Sequence, residues 1–413
     1  MTEEKKNGYT RREMLKVSAV AGAGIAIGAS GLGTVLNIGK TLSSAKETVT
    51  TSKADDIIPF YAKHQAGIIT PQQEFICLGS FNLTTSSKDQ VIALLKDWTK
   101  LSDVLTRGAI RSSTDNKLLP PNDTGEAIDL SPAKLTVTFG FGPSFFKVNG
   151  IDRFGISDKQ PAFLKDIPHM PHDNLDKKAS GGDICIQVCA DNEQVAFHAF
   201  RQFIKASTGT ASVHWIQRGF ISSEGGKTPR NLFGFKDGTA NAAPTNEAFH
   251  QSYIWTKENE PSWMNGGTYM CYRKIRMFLE VWDRTSLQDQ EDTFGRKKDT
   301  GAPYGRKKES DSVNMQKQPV NSHVRLAKQA AQPILRRGYS YVDGMDEATG
   351  NVDAGLIFIS FQKNPEKQIL PMLKVLGNQD ALNEYISHIG SAMFACPKGV
   401  SQGSYIGKDI FEA

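Results

Sequence analysis

The sequence predicts an α+β fold made of two related units, each an antiparallel sheet covered by helices. Three observations lead there. An apolar strand candidate over residues 182–189 is followed by a polar turn and by residues 193–204, which carry apolar side chains at helical spacing. The same order recurs in a strand over 354–361 and a helix over 368–376. Matching openings precede both: a strand over 74–83 before a helix over 89–105, and an apolar stretch over 267–282 before a helical segment over 286–294. A strand, turn and helix order read twice suggests duplication. Strand and helix pairs also resemble one another by chance, so order alone leaves the duplication open.

The bulk numbers agree with a large core. The chain has 413 residues, 39% of them hydrophobic, enough for one large domain or two medium ones. Its formal net charge of +5 comes from 49 basic and 44 acidic residues spread along the chain, with no long basic run interleaved with aromatics, which argues against nucleic-acid binding. The short clusters Arg296-Lys297-Lys298 and Arg306-Lys307-Lys308 read as parts of a solvated loop. Five cysteines, an odd number, do not make a disulfide framework. Cys185 and Cys189 would share one face of a strand as small core side chains, and with neither CxxC nor CxxCH present, a zinc knuckle and covalent c-type haem have no support.

Residues 1–45 read as an export signal. A polar start ends in Thr10-Arg11-Arg12-Glu13-Met14-Leu15-Lys16, a Gly- and Ala-rich apolar stretch runs over residues 17–38, and Ser43-Ser44-Ala45 offers a cleavage site. This resembles a twin-arginine signal with Met14 where Phe is usual. The alternative is a membrane anchor, since the apolar stretch is about long enough to span a bilayer, but it is weakly hydrophobic and leaves the arginine pair unexplained. The twin-arginine route carries folded proteins, often with a cofactor already inserted. No lipobox cysteine is near the segment, so the expected location is extracytoplasmic, whether periplasm, cell envelope or medium.

The most specific segment is Asn231-Leu232-Phe233-Gly234-Phe235-Lys236-Asp237-Gly238-Thr239-Ala240-Asn241. An Asp-Gly pair alone marks turns in any protein. The longer Gly-Phe-Lys-Asp-Gly-Thr string resembles the signature of the dye-decolorizing peroxidase family. Downstream and in the expected order stand Asn321-Ser322-His323-Val324-Arg325-Leu326 and Ile334-Leu335-Arg336-Arg337-Gly338-Tyr339-Ser340-Tyr341. Together with the export signal these matches cover most of the chain, and they are closest to the family's EfeB-like iron-uptake branch.

The resemblance implies two ferredoxin-like domains, at 55–225 and 226–413, the second holding one haem b. His323 becomes the axial ligand of the iron. Of the other histidines, His169 and His172 flank Pro171 in a loop, and His198 and His214 fall in ordinary amphipathic segments. A proximal imidazole is a better electron donor when its second nitrogen gives a hydrogen bond to a carboxylate, and Glu384 is the position that matches. Asp237 becomes the distal proton carrier, a task that requires it ionised; an ordinary Asp has a pKa of about 4, so activity should peak at acidic pH. Arg336 becomes the distal cation. Its neighbour Arg337 is the rival, and on an extended segment the two point to opposite faces. Gly238, Thr239 and Ala240 are expected close to the porphyrin edge.

The function implied is an exported peroxidase that uses hydrogen peroxide to oxidise donors such as dyes or ferrous iron, with an iron permease and a lipoprotein as partners in iron uptake and a homo-oligomer as a possible assembly. A deferrochelatase, which takes iron from haem and leaves the porphyrin whole, would use the same His323, Asp237 and Arg336. A haem carrier would need neither Asp237 nor Arg336. A cofactor-free structural module would bind no haem at all.

Overall fold

The first half of the chain runs β1 (Phe75–Leu83), α1 (Lys88–Thr106), β2 (Thr136–Phe141), β3 (Ile184–Ala190), α2 (Glu193–Ala206), β4 (Ala211–Phe220). Its strands pair antiparallel in the order β2-β3-β1-β4, the βαββαβ arrangement of a ferredoxin-like unit. The second half runs β5 (Thr268–Met277), α3 (Leu287–Phe294), α4 (His323–Ala330), β6 (Leu335–Arg336), β7 (Tyr339–Met345), β8 (Val352–Gln362), α5 (Ile369–Gln379), β9 (Ile386–Cys396). Here the order β7-β8-β5-β9 repeats that of the first sheet, while the two-residue β6 shares an edge of β8 with β7. Residues 56–109, 116–257, 260–330, 332–347 and 349–412 are described by this computed structural model. The export signal and its anchor alternative lie outside them, and among the described residues no helix is long and apolar enough to cross a membrane.

The sheets meet edge to edge twice, at Phe220 opposite Ser340 and at Phe141 opposite Ala395. Both outer edges of each sheet are thereby paired, and the main strands close into a ring with only the short β6 at its rim. The duplicated α+β architecture expected from the repeated strand and helix order is present.

Local chemistry explains the elements. β3 is buried along its whole length, which is why its sequence reads as an apolar run rather than an alternation. Ile184, Ile186 and Val188 face the helices, and Cys185 and Cys189 face the ring interior with Trp215, Tyr272, Tyr339 and Phe394. All five cysteines are buried and unpaired. Three of the helices begin at polar caps: Ser87, Asn192 and Ser286 each accept a first-turn backbone N–H, from Gln90, Val195 and Asp289. α2 sets Val195, Ala196, Ala199, Phe200 and Phe203 against the sheet. Under it Gly79 is obligatory, because a Cβ there would lie 2.3 Å from Phe200 Cζ.

On the helix-facing side of the second sheet, Arg273 is fully buried and pairs with equally buried Asp173. It also donates to Ser391 Oγ at 3.0 Å and to His388 Nδ1 at 3.2 Å. Burial, reinforced by the guanidinium, pushes the His388 pKa down to about 3. An unfolded His titrates near about 6.5, so in the interval between these values the unfolded chain binds a proton that the folded chain refuses. The contribution of neutral His388 to stability is therefore complete above about pH 6.5 and is lost as pH falls toward 3. We expect the urea midpoint to drop between about pH 6.5 and about pH 4, and His388→Gln to reduce that slope; equal slopes in the two proteins would refute the assignment.

Candidate active site

The segment 228–241 folds back on itself. Asn231 N–H donates to Phe235 O at 2.9 Å, the Asn231 side chain accepts from Phe233 and Phe235 N–H, and Asp237 N–H donates to Pro229 O at 2.9 Å. Phe233 and Phe235 are driven into an apolar cluster, where Phe233 meets Trp282 at 4.4 Å and Phe235 stacks on Phe294 at 4.1 Å. Trp282 Nε1–H bonds Phe233 O at 3.1 Å. With the aromatic pair anchored, Asp237 is left at the rim. Gly238 follows at φ +113°, a conformation that other residues rarely adopt, and a Cβ there would meet nothing closer than 3.9 Å. The backbone angle is thus sufficient reason for glycine. Thr239 donates to Glu309 Oε1 at 2.8 Å, and Ala240 is exposed.

Opposite this loop, β6 presents Arg336. Its Nη1 lies 3.3 Å from Asp237 Oδ1, with side chains 28% and 16% exposed. Asn241 grips the Arg336 backbone from both directions, donating to its carbonyl at 2.8 Å and accepting its N–H at 3.0 Å. Arg337 points the other way, buried against Thr70 O, Gln73 Oε1 and the Tyr339 hydroxyl. Strand alternation separates the two arginines as expected. Asn241 closes the quoted motif, and its amide, able to donate and accept at once, was the signal that could have marked it.

His323 is the first residue of α4. Its Nδ1 donates to Asp380 Oδ2 at 2.6 Å, and the Asp380 side chain is 3% exposed against 27% for the imidazole. The expectation of Glu384 as this carboxylate is therefore corrected. Glu384 ends a short 3-10 turn over Ala381–Glu384 and faces solvent, while Asp380, just before the turn, caps it through Leu382 N–H and meets the ring with its other oxygen. Ala381 N–H bonds Asn321 O at 3.0 Å, tying this turn to the approach of α4. Glycine is required at 295 as well: Gly295 sits at φ +78°, and a Cβ would strike Gln318 and Ser322, so α3 can end against the residue preceding His323. Phe294 meets the imidazole edge at 6.2 Å between centroids.

The loop between α3 and α4 carries both basic clusters, and they part ways. Arg306, Lys307 and Lys308 are exposed, whereas Arg296 and Lys298 are half-buried, a correction to the solvated reading of the first cluster. Lys298 Nζ reaches Gln290 Oε1 at 2.6 Å and lies over the Phe235 and Trp282 rings, because its apolar stem covers the aromatic cluster.

This donor set fits an iron porphyrin. With Nδ1–H committed to an acceptor-only carboxylate, His323 keeps an Nε2 lone pair for a metal. His323, Asp237 and Arg336 each retain open surface, and half-buried Leu232, Leu279, Leu356 and Phe358 pack on the cluster that contains Phe294. His198, by contrast, is buried with both ring nitrogens near carboxylates, of Asp123 and Glu126, and His214 bonds Ser180 O.

Fold and site together define a haem-dependent peroxidase architecture. The model of the Dyp-type peroxidase N-terminal region matches residues 65–221 and that of the C-terminal region residues 228–401, and the chain belongs to this family. It is 37% identical to a deferrochelatase of Escherichia coli strain K12 over 424 residues, covering 98% of this chain and 97% of the relative. Among solved structures, it is similar to a DyP-type peroxidase from Streptomyces coelicolor, with TM-score 0.79 and 36% identity over 86% of this chain and 97% of the other. Ferric DtpA from Streptomyces lividans gives TM-score 0.79 and 36% identity over 89% and 100%.

The hydrogen bond to Asp380 yields a direct prediction. In haem-reconstituted protein, Asp380→Asn should lower the rate constant with peroxide by about 10- to 100-fold, and Glu384→Gln should leave it unchanged. Stopped-flow absorption checks both, and the reverse pattern would restore Glu384.

Proposed function

We propose that this chain is an exported haem b peroxidase, one haem per chain, that reduces hydrogen peroxide and oxidises donors such as dyes or ferrous iron. The single observation that carries the reading is the Asp237–Arg336 pair, 3.3 Å apart and partly open, in a chain that also offers His323 backed by Asp380. His323 would hold the haem iron through Nε2. Bound haem supplies redox-active iron, able to give electrons to peroxide and recover them from a donor.

The protein residues handle protons and charge. Peroxide must lose a proton from one oxygen and gain one on the oxygen that departs as water; the Asp237 carboxylate accepts the first and delivers the second. Negative charge builds on the departing oxygen, and the Arg336 guanidinium stabilises it. Asn241 holds the Arg336 backbone in place, and buried Asp380 keeps the His323 ring in one tautomer and orientation. Gly238, Thr239 and Ala240 are assigned to the edge of the cofactor.

Export by the twin-arginine route, to the periplasm, envelope or medium, rests on Arg11-Arg12 and the apolar stretch that follows. The domain division at 55–225 and 226–413, after a signal over 1–45, follows the duplicated strand order. Participation in iron uptake, with a permease and a lipoprotein as partners, follows from the branch resemblance. A second reading, release of iron from haem with the porphyrin intact, is favoured by the deferrochelatase relatives at 37% identity over nearly the whole chain.

The test is to reconstitute the mature chain with haem and follow Soret absorption, dye oxidation and porphyrin fluorescence at acidic pH. Asp237→Asn should keep haem and lose at least about 100-fold in peroxide reactivity. A variant as reactive as the parent would leave a haem carrier, and rising metal-free porphyrin fluorescence without dye turnover would make iron release the main activity.

A further inference from the structure

Asp237 and Arg336 are held in different ways. Arg336 belongs to a strand and is gripped by Asn241, whereas Asp237 sits on a loop whose next-but-two residue, Ala240, is already in solvent. Something outside the loop has to keep the carboxylate within 3.3 Å of the guanidinium.

The strap over residues 295–322, which leaves α3 beside Phe294 and enters α4 at His323, provides two ties to that loop. The first is Arg230, whose guanidinium donates to Gly234 O at 2.6 Å, to Lys298 O and to Asp299 O at 2.7 Å. The second is Glu309. Its Oε2 pairs with Lys236 Nζ, its Oε1 accepts from Thr239 Oγ1 at 2.8 Å, and the Thr228 side chain bonds it as well. Lys236 and Thr239 bracket Asp237 and Gly238. Burial works to raise the Glu309 carboxyl, and the bonds from Lys236, Thr228 and Thr239 outweigh it and hold the group below the usual range.

The clamp has its own support. Arg296 Nη1 donates to Glu309 O at 3.0 Å and to Gly301 O at 2.6 Å, fixing the backbone that carries Glu309. Gly301, at φ +73°, leaves the space in which the ion pair lies; a Cβ there would come within 2.8 Å of Lys236 Cδ and 3.3 Å of Glu309 Cγ. The Lys236 and Glu309 side chains are 18% and 20% exposed, so solvent screens them less than it would a surface pair.

We propose that Glu309 is a positioning residue for proton transfer, holding the Asp237 turn against Arg336 through Lys236 and Thr239. It touches neither peroxide nor cofactor and acts through the loop it grips. The proposal rests on the reading of Asp237 as the proton carrier. A displacement of about 1 Å in such a group costs up to about 100-fold in rate.

The experiment uses the mature chain, haem-loaded for kinetics and both loaded and haem-free for hydrogen exchange. Glu309→Ala should lower the rate constant with peroxide by about 10- to 100-fold while leaving haem stoichiometry and the KM for a dye within about twofold. It should also speed amide exchange in residues 228–241 by about tenfold without a comparable change in α1 or α2. Glu309→Gln, which keeps an acceptor for Thr239 and loses the ion pair, should fall between. Unchanged exchange in 228–241, or faster exchange with an unchanged peroxide rate, overturns the proposal. In the second case Asp237→Asn shows where the failure lies: if it too leaves the rate unchanged, Asp237 is not the proton carrier. Should Glu309→Ala not fold, Lys236→Met takes its place, and Lys236→Met combined with Glu309→Gln should be no slower than the worse single variant; fully additive losses refute a shared clamp.

Discussion

The hydrogen bond from His323 Nδ1 to Asp380 is the interaction on which the site depends. It joins the first residue of α4 to the residue that follows α5, and it does so from a carboxylate almost out of contact with water. An acceptor-only partner decides which ring nitrogen carries the proton and leaves the other to a metal. The same Asp380 caps the turn that leads into β9, so the orientation of the imidazole is tied to the entry of that strand. A buried carboxylate of this kind stays only where its bonds offset the loss of hydration, and both of its oxygens are used here.

The two halves of the ring share a topology and differ in what fills the space between sheet and helices. In the first half Phe81, Trp98, Phe139, Phe200 and Phe203 pack together there, with ring centroids 5.1 to 6.1 Å apart. In the second half, the aromatic cluster of Phe233, Phe235, Trp282 and Phe294 lies to one side, and polar groups with open surface stand beside it. Close-packed aromatic rings leave no room for a flat ligand between sheet and helices of the first half, whereas the candidate site groups of the second half keep open surface. The segments that bring chemistry are loops: 228–241 lies between β4 and β5, and 295–322 lies between α3 and α4.

Much of this was legible in sequence, for identifiable reasons. Periodicity located α1, α2 and α5 within a few residues because each buries one apolar face. Strand alternation sent Arg336 and Arg337 to opposite sides. The proximal carboxylate was misread because Asp380 and Glu384 lie four apart around a short turn, and only the path of that turn decides which one faces His323. The basic cluster at 296–298 was misread because a lysine stem can cover aromatic rings, and charge alone does not reveal that.

By itself the sequence determined the repeated strand and helix order and the residue types able to bind iron and move protons, whereas the left-handed backbone angle of Gly238 came from the structure. The tertiary structure alone decided which of them meet. Asn241 finds the Arg336 backbone 95 residues away, Asp380 finds His323 across 57, and Glu309 finds Thr239 across 70. Such encounters depend on how strands close the ring and how loops cross it, and a local pattern of side chains holds no information about distances of that kind.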